Sequence, residues 1–474
     1  MKPFVAVLVA LFGASCLADP PAKTPNIVLI VADHMGASDI GAYGASDIAT
    51  PALDKLAAQG TRFANYYAAA PICGPSRAAM LTGKYPARIG FEDNIGYGSR
   101  LRARLPTLPA LLKRRGYKNG HFGKWHLGQS EETDPLARGF DEFLGFHHWS
   151  VNHYTHRNDN GEESLTHNRS IVERDGYLTD ILTDESIRFM KENRDDPFFL
   201  YLAYNTALPP YLGPGLPPDR WDAGFDLGTA TRDDYVSMVE AMDAGIGRLL
   251  DALNDLGLAG HSLVIFTYDH NGRHLVRNDP FSGGFATLNE GGIRVPLIMR
   301  WPGKLPAGES LHKPAIGMDI AATVLNAAGV ASESLNLDGR DLVNDPMPNE
   351  QRAFFWRIAL GDFGQAAVRR GNWKLLVHRF ATFSKPTVYL YDLESDPGES
   401  RDLYHKRQDL ADRLHRELIE WEASVTEPAA AGFGRARSPL DPTASTPARD
   451  CSTRAANTSG RAAGPPAWRR RGGT

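Results

Sequence analysis

The feature that most constrains this chain is a set of short, continuous apolar runs separated by helical patterns. Residues 26–32 read NIVLIVA, and similar runs occupy 197–204, 262–268 and 295–300. Runs of this length and β-branched content are typical of strands buried on both faces of a parallel sheet. Residues 234–253 instead repeat apolar side chains at helical spacing. The alternation predicts an α/β fold with a large, mostly parallel mixed sheet flanked by helices.

The pattern changes after about residue 345. Segments 366–377 and 387–392 indicate short antiparallel strands, and 408–425 indicates an amphipathic helix. We therefore predict an α/β domain over residues 25–345 and a smaller C-terminal α+β domain over residues 346–428.

Both ends of the chain have distinctive compositions. Residues 1–18 have the positive start, apolar run and small residues of a secretory signal peptide. The apolar run is shorter than the about 20 residues that a membrane span needs, so we expect an exported protein, periplasmic or secreted, without an integral membrane segment. Cys16 leaves a lipoprotein anchor as the alternative. Residues 429–474 are rich in Ala, Gly, Pro and Arg, which predicts a disordered basic tail.

Charge and cysteine content narrow the function classes. The 474 residues carry a formal net charge of -4, from 52 basic and 56 acidic side chains, which argues against a nucleic-acid partner. The 3 cysteines exclude a disulfide scaffold. Removal of the signal would remove Cys16, and Cys451 lies in the predicted tail. Cys73 would then be a lone cysteine in an exported body, which indicates a reactive thiol.

Two of the predicted strands are followed by the dipeptide Asp-His. Asp33 and His34 follow the first run, and Asp269 and His270 follow the run 262–268. Ligands gather beyond the carboxyl ends of the strands in open α/β sheets. Two carboxylates and two imidazoles at that edge are suitable ligands for a divalent metal. The alternative is that the aspartates are helix N-caps.

The segment 71–81 reads PICGPSRAAML. It predicts a turn followed by a helix that begins near Arg77, with Ser76 as its N-cap. Cys73 would then lie just ahead of a helix N-terminus, where anions are stabilised, with the positive charge of Arg77 close by. This placement makes Cys73 a candidate nucleophile, or the precursor of one.

Residues 73–77, CGPSR, match the Cys-x-Pro-Ser-Arg signature, so the chain resembles the formylglycine-dependent (type I) sulfatases of the alkaline-phosphatase superfamily. The resemblance extends over roughly residues 25–425, because further family motifs follow in order. These further segments are 26–44, 83–85, 123–128, 290–296, 368–375 and 390–398.

The resemblance implies that a formylglycine-generating enzyme, or an equivalent maturase, oxidises Cys73 to formylglycine. One hydroxyl of the hydrated aldehyde would attack sulfur and expel an alcohol, and the other would then release sulfate. Arg77 and Lys124 would hold the diol and the anion. His126 would remove the proton that triggers release.

The resemblance also implies one divalent metal ion, which is Ca²⁺ in the family. This chain has histidines where the family has oxygen ligands, which favours Zn²⁺ or Mn²⁺. His270 either takes a ligand role itself or displaces Asn271 from one. The candidate metal ligands are Asp33, His34, Cys73, Asp269 and His270.

Two further departures remove groups that clamp the sulfate and help to protonate the leaving group. Leu208-Pro209 stands where the family has Pro-His, and Phe285 stands in place of a lysine. General acid catalysis contributes about 10²–10⁴-fold to a rate, so their loss matters. We expect the nearby histidines to lie in a solvated loop, although they are possible substitutes. They are His147, His148, His153, His156 and His167.

Three functions follow. The first is an exported sulfatase that acts on a sulfated carbohydrate or an aryl sulfate. The second is a phosphate or phosphonate ester hydrolase on the same scaffold, which His ligands favour. The third is a catalytically weak homologue that binds sulfated glycans. The intact Cys73 motif favours the first, because an inactive protein has no need of a maturation signal.

Overall fold

The structure is a computed structural model that describes residues 24–94, 100–216, 229–344, 352–382 and 385–425. The predicted signal peptide, the predicted basic tail, Cys16 and Cys451 lie outside these residues, as does the predicted domain boundary at residues 345–346. Among the described helices, none combines the length and the apolar character that a membrane span requires.

The described residues form two main β-sheets and the helices that pack on them. In chain order the strands are β1 (Asn26–Ala32), β2 (Thr61–Phe63), β3 (Tyr66–Tyr67), β4 (Lys118–Lys124), β5 (Glu142–Phe146), β6 (Thr166–His167), β7 (Ser170–Ile171), β8 (Phe198–Ala203), β9 (Ser262–Tyr268), β10 (Leu297–Arg300), β11 (Glu309–Leu311), β12 (Ala315–Ile316), β13 (Ala353–Leu360), β14 (Phe363–Arg370), β15 (Trp373–Phe380) and β16 (Thr387–Asp392). The helices are α1 (Pro51–Gln59), α2 (Cys73–Thr82), α3 (Pro86–Ile89), α4 (Leu108–Lys113), α5 (Leu178–Glu192), α6 (Arg232–Asp255), α7 (Glu290–Ile293), α8 (Met318–Ala327) and α9 (Gln408–Val425).

The large sheet has the spatial order β11-β2-β10-β9-β1-β8-β4-β5-β6-β7. Its centre, from β9 through β1, β8 and β4 to β5, is parallel. Every residue of β1, β8 and β9 is buried, as expected for apolar strands covered on both faces. The predicted α/β sheet is therefore confirmed.

The run 295–300 forms β10, but this strand is antiparallel to β9. The reason lies in the connection between them. A parallel neighbour needs a crossover, which is usually a long helix, whereas residues 269–296 contain the four-residue helix α7 and otherwise loop. The chain therefore returns along the same edge in the opposite direction.

Helix α6 confirms the helical pattern predicted for residues 234–253. A capping box sets its start, because Thr231 Oγ1 accepts a hydrogen bond from the backbone N–H of Asp234 while the Asp234 carboxylate accepts one from the Thr231 N–H. Its apolar side is buried from Tyr235 to Leu253. The helix packs on α5 and α1.

The smaller sheet is the antiparallel series β13-β14-β15-β16, with α9 packed on it. This confirms the predicted C-terminal α+β unit. Buried contacts join it to the larger α/β domain: Trp356 Nε1 donates to the carbonyl of Ala68, which follows β3, at 2.9 Å. In addition, the buried Lys374 ammonium of β15 lies 2.9 Å from Glu290 of α7.

Candidate active site

The candidate site begins at the carboxyl edge of the parallel strands. The register pairs Ala32 of β1 with Tyr268 of β9, so the next residues, Asp33 and Asp269, leave the sheet side by side. Both carboxylates are fully buried. The Asp33 N–H donates to the Thr206 carbonyl at 2.7 Å, which ties Asp33 to the exit of β8 as well.

Helix α2 brings Cys73 to this edge. It begins at Cys73 and not near Arg77, and the residue before it, Ile72, is extended. The predicted capping role of Ser76 is wrong: its N–H already bonds to the Ile72 carbonyl at 3.3 Å, so Ser76 lies inside the first turn. Within the described chain its Oγ has no hydrogen-bond partner. Cys73 itself thus lies in the first turn, among the free N–H groups that stabilise anions.

Three side chains, those of Asp33, Asp269 and His270, converge around Cys73. Its Sγ lies 3.0 Å from Nε2 of His270 and 3.8 Å from Oδ1 of Asp33. The donor atoms of Asp33, Cys73, Asp269 and His270 all lie within 4.8 Å of one another. This donor set, which consists of two carboxylates, one imidazole and one sulfur atom, suits a divalent cation. We call these four residues the Cys73 cluster.

Asn271, the residue after the cluster, also has an uncommitted oxygen. Its Nδ2 donates to the Arg294 carbonyl at 2.7 Å. Its buried Oδ1 has no partner within the described chain. A buried carbonyl oxygen without a donor is costly, and a cation beside it would satisfy it. The donor set of the Cys73 cluster by itself fits the metal that the sequence predicts.

Two buried cations, Arg77 and Lys124, contact only the Oδ2 atoms of the two aspartates. Arg77 donates from Nε to Asp269 Oδ2 at 2.8 Å and from Nη2 to Asp33 Oδ2 at 3.1 Å. Lys124 donates to the same oxygen of Asp33. The Oδ1 atoms instead face the cluster, at 3.7 Å and 3.6 Å from Nε2 of His270. The two cations therefore hold one oxygen of each carboxylate, and the other oxygen faces the cluster, where Oδ1 of Asp269 also accepts from the His270 backbone N–H at 2.9 Å.

The charges of these groups set their protonation. Burial would raise the pKa of Asp33, but the charges of Lys124 and Arg77 hold it well below its usual range. Burial would likewise lower the pKa of His270, but Asp269 and Cys73 raise it to about 10. The cluster therefore favours an added positive charge, which a proton or a metal ion can supply.

The structure places the other predicted ligand, His34, outside the four-residue cluster. Its ring lies edge-on to His270 with 5.4 Å between centroids. Burial lowers its pKa to about 3, so it is neutral. Gly272 allows the close packing here, because a Cβ at Gly272 would lie 2.3 Å from the His34 carbonyl oxygen. The cluster consequently contains one imidazole where the sequence suggested two.

Phe285 lies against both histidines, with ring centroids 4.9 Å from His34 and 5.1 Å from His270. An apolar ring thus occupies the position where the family resemblance places a lysine. Leu208 is buried, and its N–H donates to the Asn205 carbonyl at 2.8 Å. Neither side chain can donate a proton.

His126 lies two residues after the end of β4 and is half-buried. It adopts a left-handed backbone, with φ 55°, and lines a cleft of about 690 Å³ with Arg100, His147, His148 and Trp149. Burial, and then the charge of Lys124, put the pKa of His126 well below its usual value. The imidazole is therefore neutral and able to accept a proton.

The expectation of a solvated histidine loop is wrong for His153 and His156, which are buried. His153 stacks on Tyr177 with 5.3 Å between ring centroids, and its Nε2 lies 3.3 Å from Nδ2 of Asn205. The loop folds back onto the residues that follow β8, and this packing removes the two rings from water. His147 and His148 instead line the cleft.

Sequence reasoning missed two contacts of the site. The Tyr201 hydroxyl lies 3.4 Å from Nη1 of Arg77, and Asn94 Oδ1 accepts from the Gly74 N–H at 2.8 Å. A hydroxyl inside the apolar run of β8 is the available sequence signal for Tyr201. Asn94 gives no such signal, because asparagine in a loop is common.

Comparisons with known proteins agree with this geometry. The Sulfatase family model matches residues 25–330, and a model for the C-terminal part of N-sulphoglucosamine sulphohydrolase matches residues 286–424. N-acetylgalactosamine-6-sulfatase of Sus scrofa is 36% identical over 354 residues, which cover 68% of this chain and 66% of that protein. Arylsulfatase A of Homo sapiens is 33% identical over 447 residues, which cover 81% and 84% of the two chains.

Solved structures show the same fold. The crystal structure of Ps i-CgsB superimposes with a TM-score of 0.77 at 31% identity, covering 86% of this chain and 94% of that one. A phosphonate monoester hydrolase of Agrobacterium radiobacter shares the fold alone, with a TM-score of 0.62 at 22% identity, covering 85% of this chain and 96% of that one. The chain belongs to the sulfatase family of sulfuric ester hydrolases.

Proposed function

We propose that this protein is an exported sulfatase that hydrolyses sulfate esters of a carbohydrate or an aryl alcohol at a formylglycine made from Cys73. The main support for this proposal is the position of Cys73, which lies in the first turn of α2 with its Sγ 3.0 Å from Nε2 of His270. Its maturation would need a formylglycine-generating enzyme or an equivalent maturase. The curated relatives cited above act, by their names, on sulfated substrates.

Arg77, Lys124 and His126 have separate roles in the proposed reaction. Arg77 and Lys124 keep Asp33 ionised and hold its far oxygen, so the near oxygens of both aspartates stay directed at the cluster. The same two cations place positive charge where the substrate's sulfate must approach. His126, neutral and at the cleft, accepts the proton of the diol when sulfate leaves.

The residues fit a divalent cation, and Asp33, Cys73, Asp269 and His270 would hold it. Bound there, it would lower the pKa of the nucleophilic hydroxyl and neutralise sulfate charge. Three of these positions offer oxygen once Cys73 is oxidised, and His270 offers nitrogen. This mixed set supports Zn²⁺ or Mn²⁺ over the Ca²⁺ that the family resemblance implies.

The metal prediction is tested by elemental analysis of protein purified without added metal. We expect a stoichiometric transition metal, because His270 supplies an imidazole. The His270→Asn variant should shift the preference toward Ca²⁺, since an amide oxygen replaces nitrogen, while His261→Asn serves as a control outside the cluster. Stoichiometric Ca²⁺ in the unmodified protein would contradict the prediction.

The direct test of the function is mass spectrometry of the Cys73 peptide from protein made in its native host. We expect an aldehyde that reacts with a hydrazide probe. The same sample should release inorganic sulfate from an aryl sulfate. An unmodified thiol in an active sample would overturn the formylglycine route, and no turnover of any sulfate ester in an aldehyde-bearing sample would overturn the sulfatase assignment.

The apolar residues Leu208 and Phe285 lead to a prediction about substrates. Without a proton donor there, aryl sulfates with acidic phenols should be cleaved faster than alkyl or sugar sulfates by about 10²–10⁴-fold, the usual value of a general acid. The measurement is kcat/KM across leaving groups of different pKa. Phe285→Lys should reduce the ratio of kcat/KM between aryl sulfates and alkyl or sugar sulfates, whereas Phe285→Leu should leave this ratio unchanged. Rates independent of the leaving group would contradict this reasoning.

The second candidate is a phosphate or phosphonate ester hydrolase on the same scaffold. His270 favours it, because an imidazole in the cluster departs from an all-oxygen calcium site. A side-by-side measurement of kcat/KM for an aryl sulfate and an aryl phosphonate monoester separates the two. A preference for the phosphonate would favour this alternative.

A further inference from the structure

A second cavity, of about 420 Å³, lies where the C-terminal unit meets the large domain. Its walls come from β14, the turn after it, β15, α9 and two loops near residues 65 and 312. Within the described chain, none of its lining residues belongs to the Cys73 cluster or to the cleft beside His126. Nothing in the proposed sulfatase chemistry uses it.

The cavity is basic. Arg369, Arg370 and Arg413 line it together with His312, and no carboxylate is among its described lining residues. Arg369 is only 3% exposed. Its Nε donates to the Gly371 carbonyl at 2.9 Å and its Nη1 to the Tyr67 hydroxyl. These contacts hold a buried guanidinium at the wall of the cavity, where it can pair with an anion. Part of its charge is offset by Glu290, which accepts from the same Tyr67 hydroxyl at 2.6 Å.

The second arginine of interest, Arg413, is exposed on α9. Among the described residues it has no ion-pair or hydrogen-bond partner. Arg370, in contrast, is paired with Glu417 at 2.9 Å. The cavity thus combines one preset guanidinium with one that is free to close on a ligand.

The rest of the lining suits a sugar. The indole of Trp373 and the side-chain amides of Asn65 and Asn372 line the same cavity. Arg407 lies 4.9 Å over the Trp373 ring and adds further positive charge. The Asn65 and Asn372 amides already donate to the His312 carbonyl and to Glu394, each at 2.7 Å, so each keeps one further N–H for a sugar hydroxyl. The arginines can pair with an acidic substituent.

We propose that this cavity, outside the catalytic cleft, binds an acidic saccharide through its sulfate or carboxylate group. The inference does not depend on turnover at Cys73. It gives the protein a second point of attachment to an anionic glycan, on the C-terminal unit. The ligand chemistry is shared by sulfated and uronic-acid sugars, and the probes below distinguish them.

The test is calorimetric titration of the full chain carrying Cys73→Ala, so that no probe is consumed. The probes are a chondroitin sulfate tetrasaccharide, its desulfated form, neutral maltotetraose and inorganic sulfate. We expect the tetrasaccharide to bind and Arg413→Ala to weaken one class of sites about ten-fold, the scale of a charged hydrogen bond. Arg416→Ala, on the same helix and also exposed but outside the cavity, should leave binding unchanged.

Two further readouts separate this site from the catalytic one. Binding should change the fluorescence of Trp373, and Trp373→Phe should remove that change. With Cys73 intact, Arg413→Ala should hydrolyse a small aryl sulfate as fast as the unmodified protein. Binding that survives desulfation supports recognition of the carboxylate, and binding lost on desulfation supports recognition of the sulfate.

Three outcomes would overturn the proposal. The first is equal affinity for maltotetraose, and the second is affinity for inorganic sulfate equal to that for the tetrasaccharide. The third is unchanged tetrasaccharide binding in the Arg413→Ala variant. A protein without sulfatase activity would still give a readable result, because a loss specific to Arg413→Ala reports on this cavity alone.

Discussion

Replacing Cys73 with alanine is expected to abolish sulfate ester hydrolysis, with a loss of at least about 10⁴-fold in kcat, as is typical when the nucleophile of an enzyme is removed. The physical reason is that Cβ of alanine can carry neither the thiol nor the diol derived from it. Cys73 is 4% exposed at the head of α2, so the substitution leaves a small cavity and the fold should persist. The measurement is kcat on an aryl sulfate at equal folded concentration.

The Cys73→Ser variant provides the matched control. A serine hydroxyl can attack sulfur once, but it has no second hydroxyl to expel the sulfate. We expect a single turnover that leaves a sulfated serine, detectable as a peptide heavier by one sulfate group. If Cys73→Ala hydrolyses the substrate as fast as the unmodified protein, the account of this site fails.

The second large effect is expected from Asp33→Asn. The amide keeps the shape of the side chain but removes the charge that Lys124 and Arg77 both contact. Arg77 retains Asp269 at 2.8 Å. The fully buried Lys124 ammonium, however, loses the carboxylate it contacts. Leaving a buried charge uncompensated costs about 3–5 kcal/mol of unfolding free energy. Urea unfolding measures this loss.

The same variant should lose its metal and at least about 10³-fold in kcat, because one cluster oxygen no longer carries charge. Asp319→Asn is the matched control. Asp319 is also fully buried, and it pairs with Arg352 at 2.6 Å and 2.9 Å, outside the cluster. It should lose comparable stability yet keep its metal and its activity per folded molecule. Full metal occupancy in Asp33→Asn would show that this carboxylate holds no ion.

The stability effect also has a defined pH dependence. The folded state holds the pKa of Asp33 below its unfolded value, so its ion pairs stabilise the fold above the unfolded pKa. This stability is lost as the pH falls through the folded pKa. The unfolding free energy of the unmodified protein should therefore exceed that of Asp33→Asn by less as the pH falls, and the two values should converge.

Much of the scaffold could be predicted from local patterns. The run 26–32 predicts β1 with the same bounds, and 262–268 predicts β9, because strands buried on both faces are apolar along most of their length. The Asp-His pairs follow these strands, so their position at one edge follows from the parallel direction of the sheet. β4 was not predicted, since its sequence, KNGHFGK, has two glycines and few apolar residues.

Local sequence therefore establishes the strands, the edge on which the acidic residues meet, and the thiol at the start of a helix. The three-dimensional packing decides the rest: that Arg77 bridges Asp33 and Asp269, that His270 joins the cluster while His34 does not, and that His153 is buried. These outcomes depend on contacts between segments far apart in the chain. The neighbours of a residue in the sequence indicate its backbone conformation. They do not indicate which charged side chains from distant segments will be buried in contact with it.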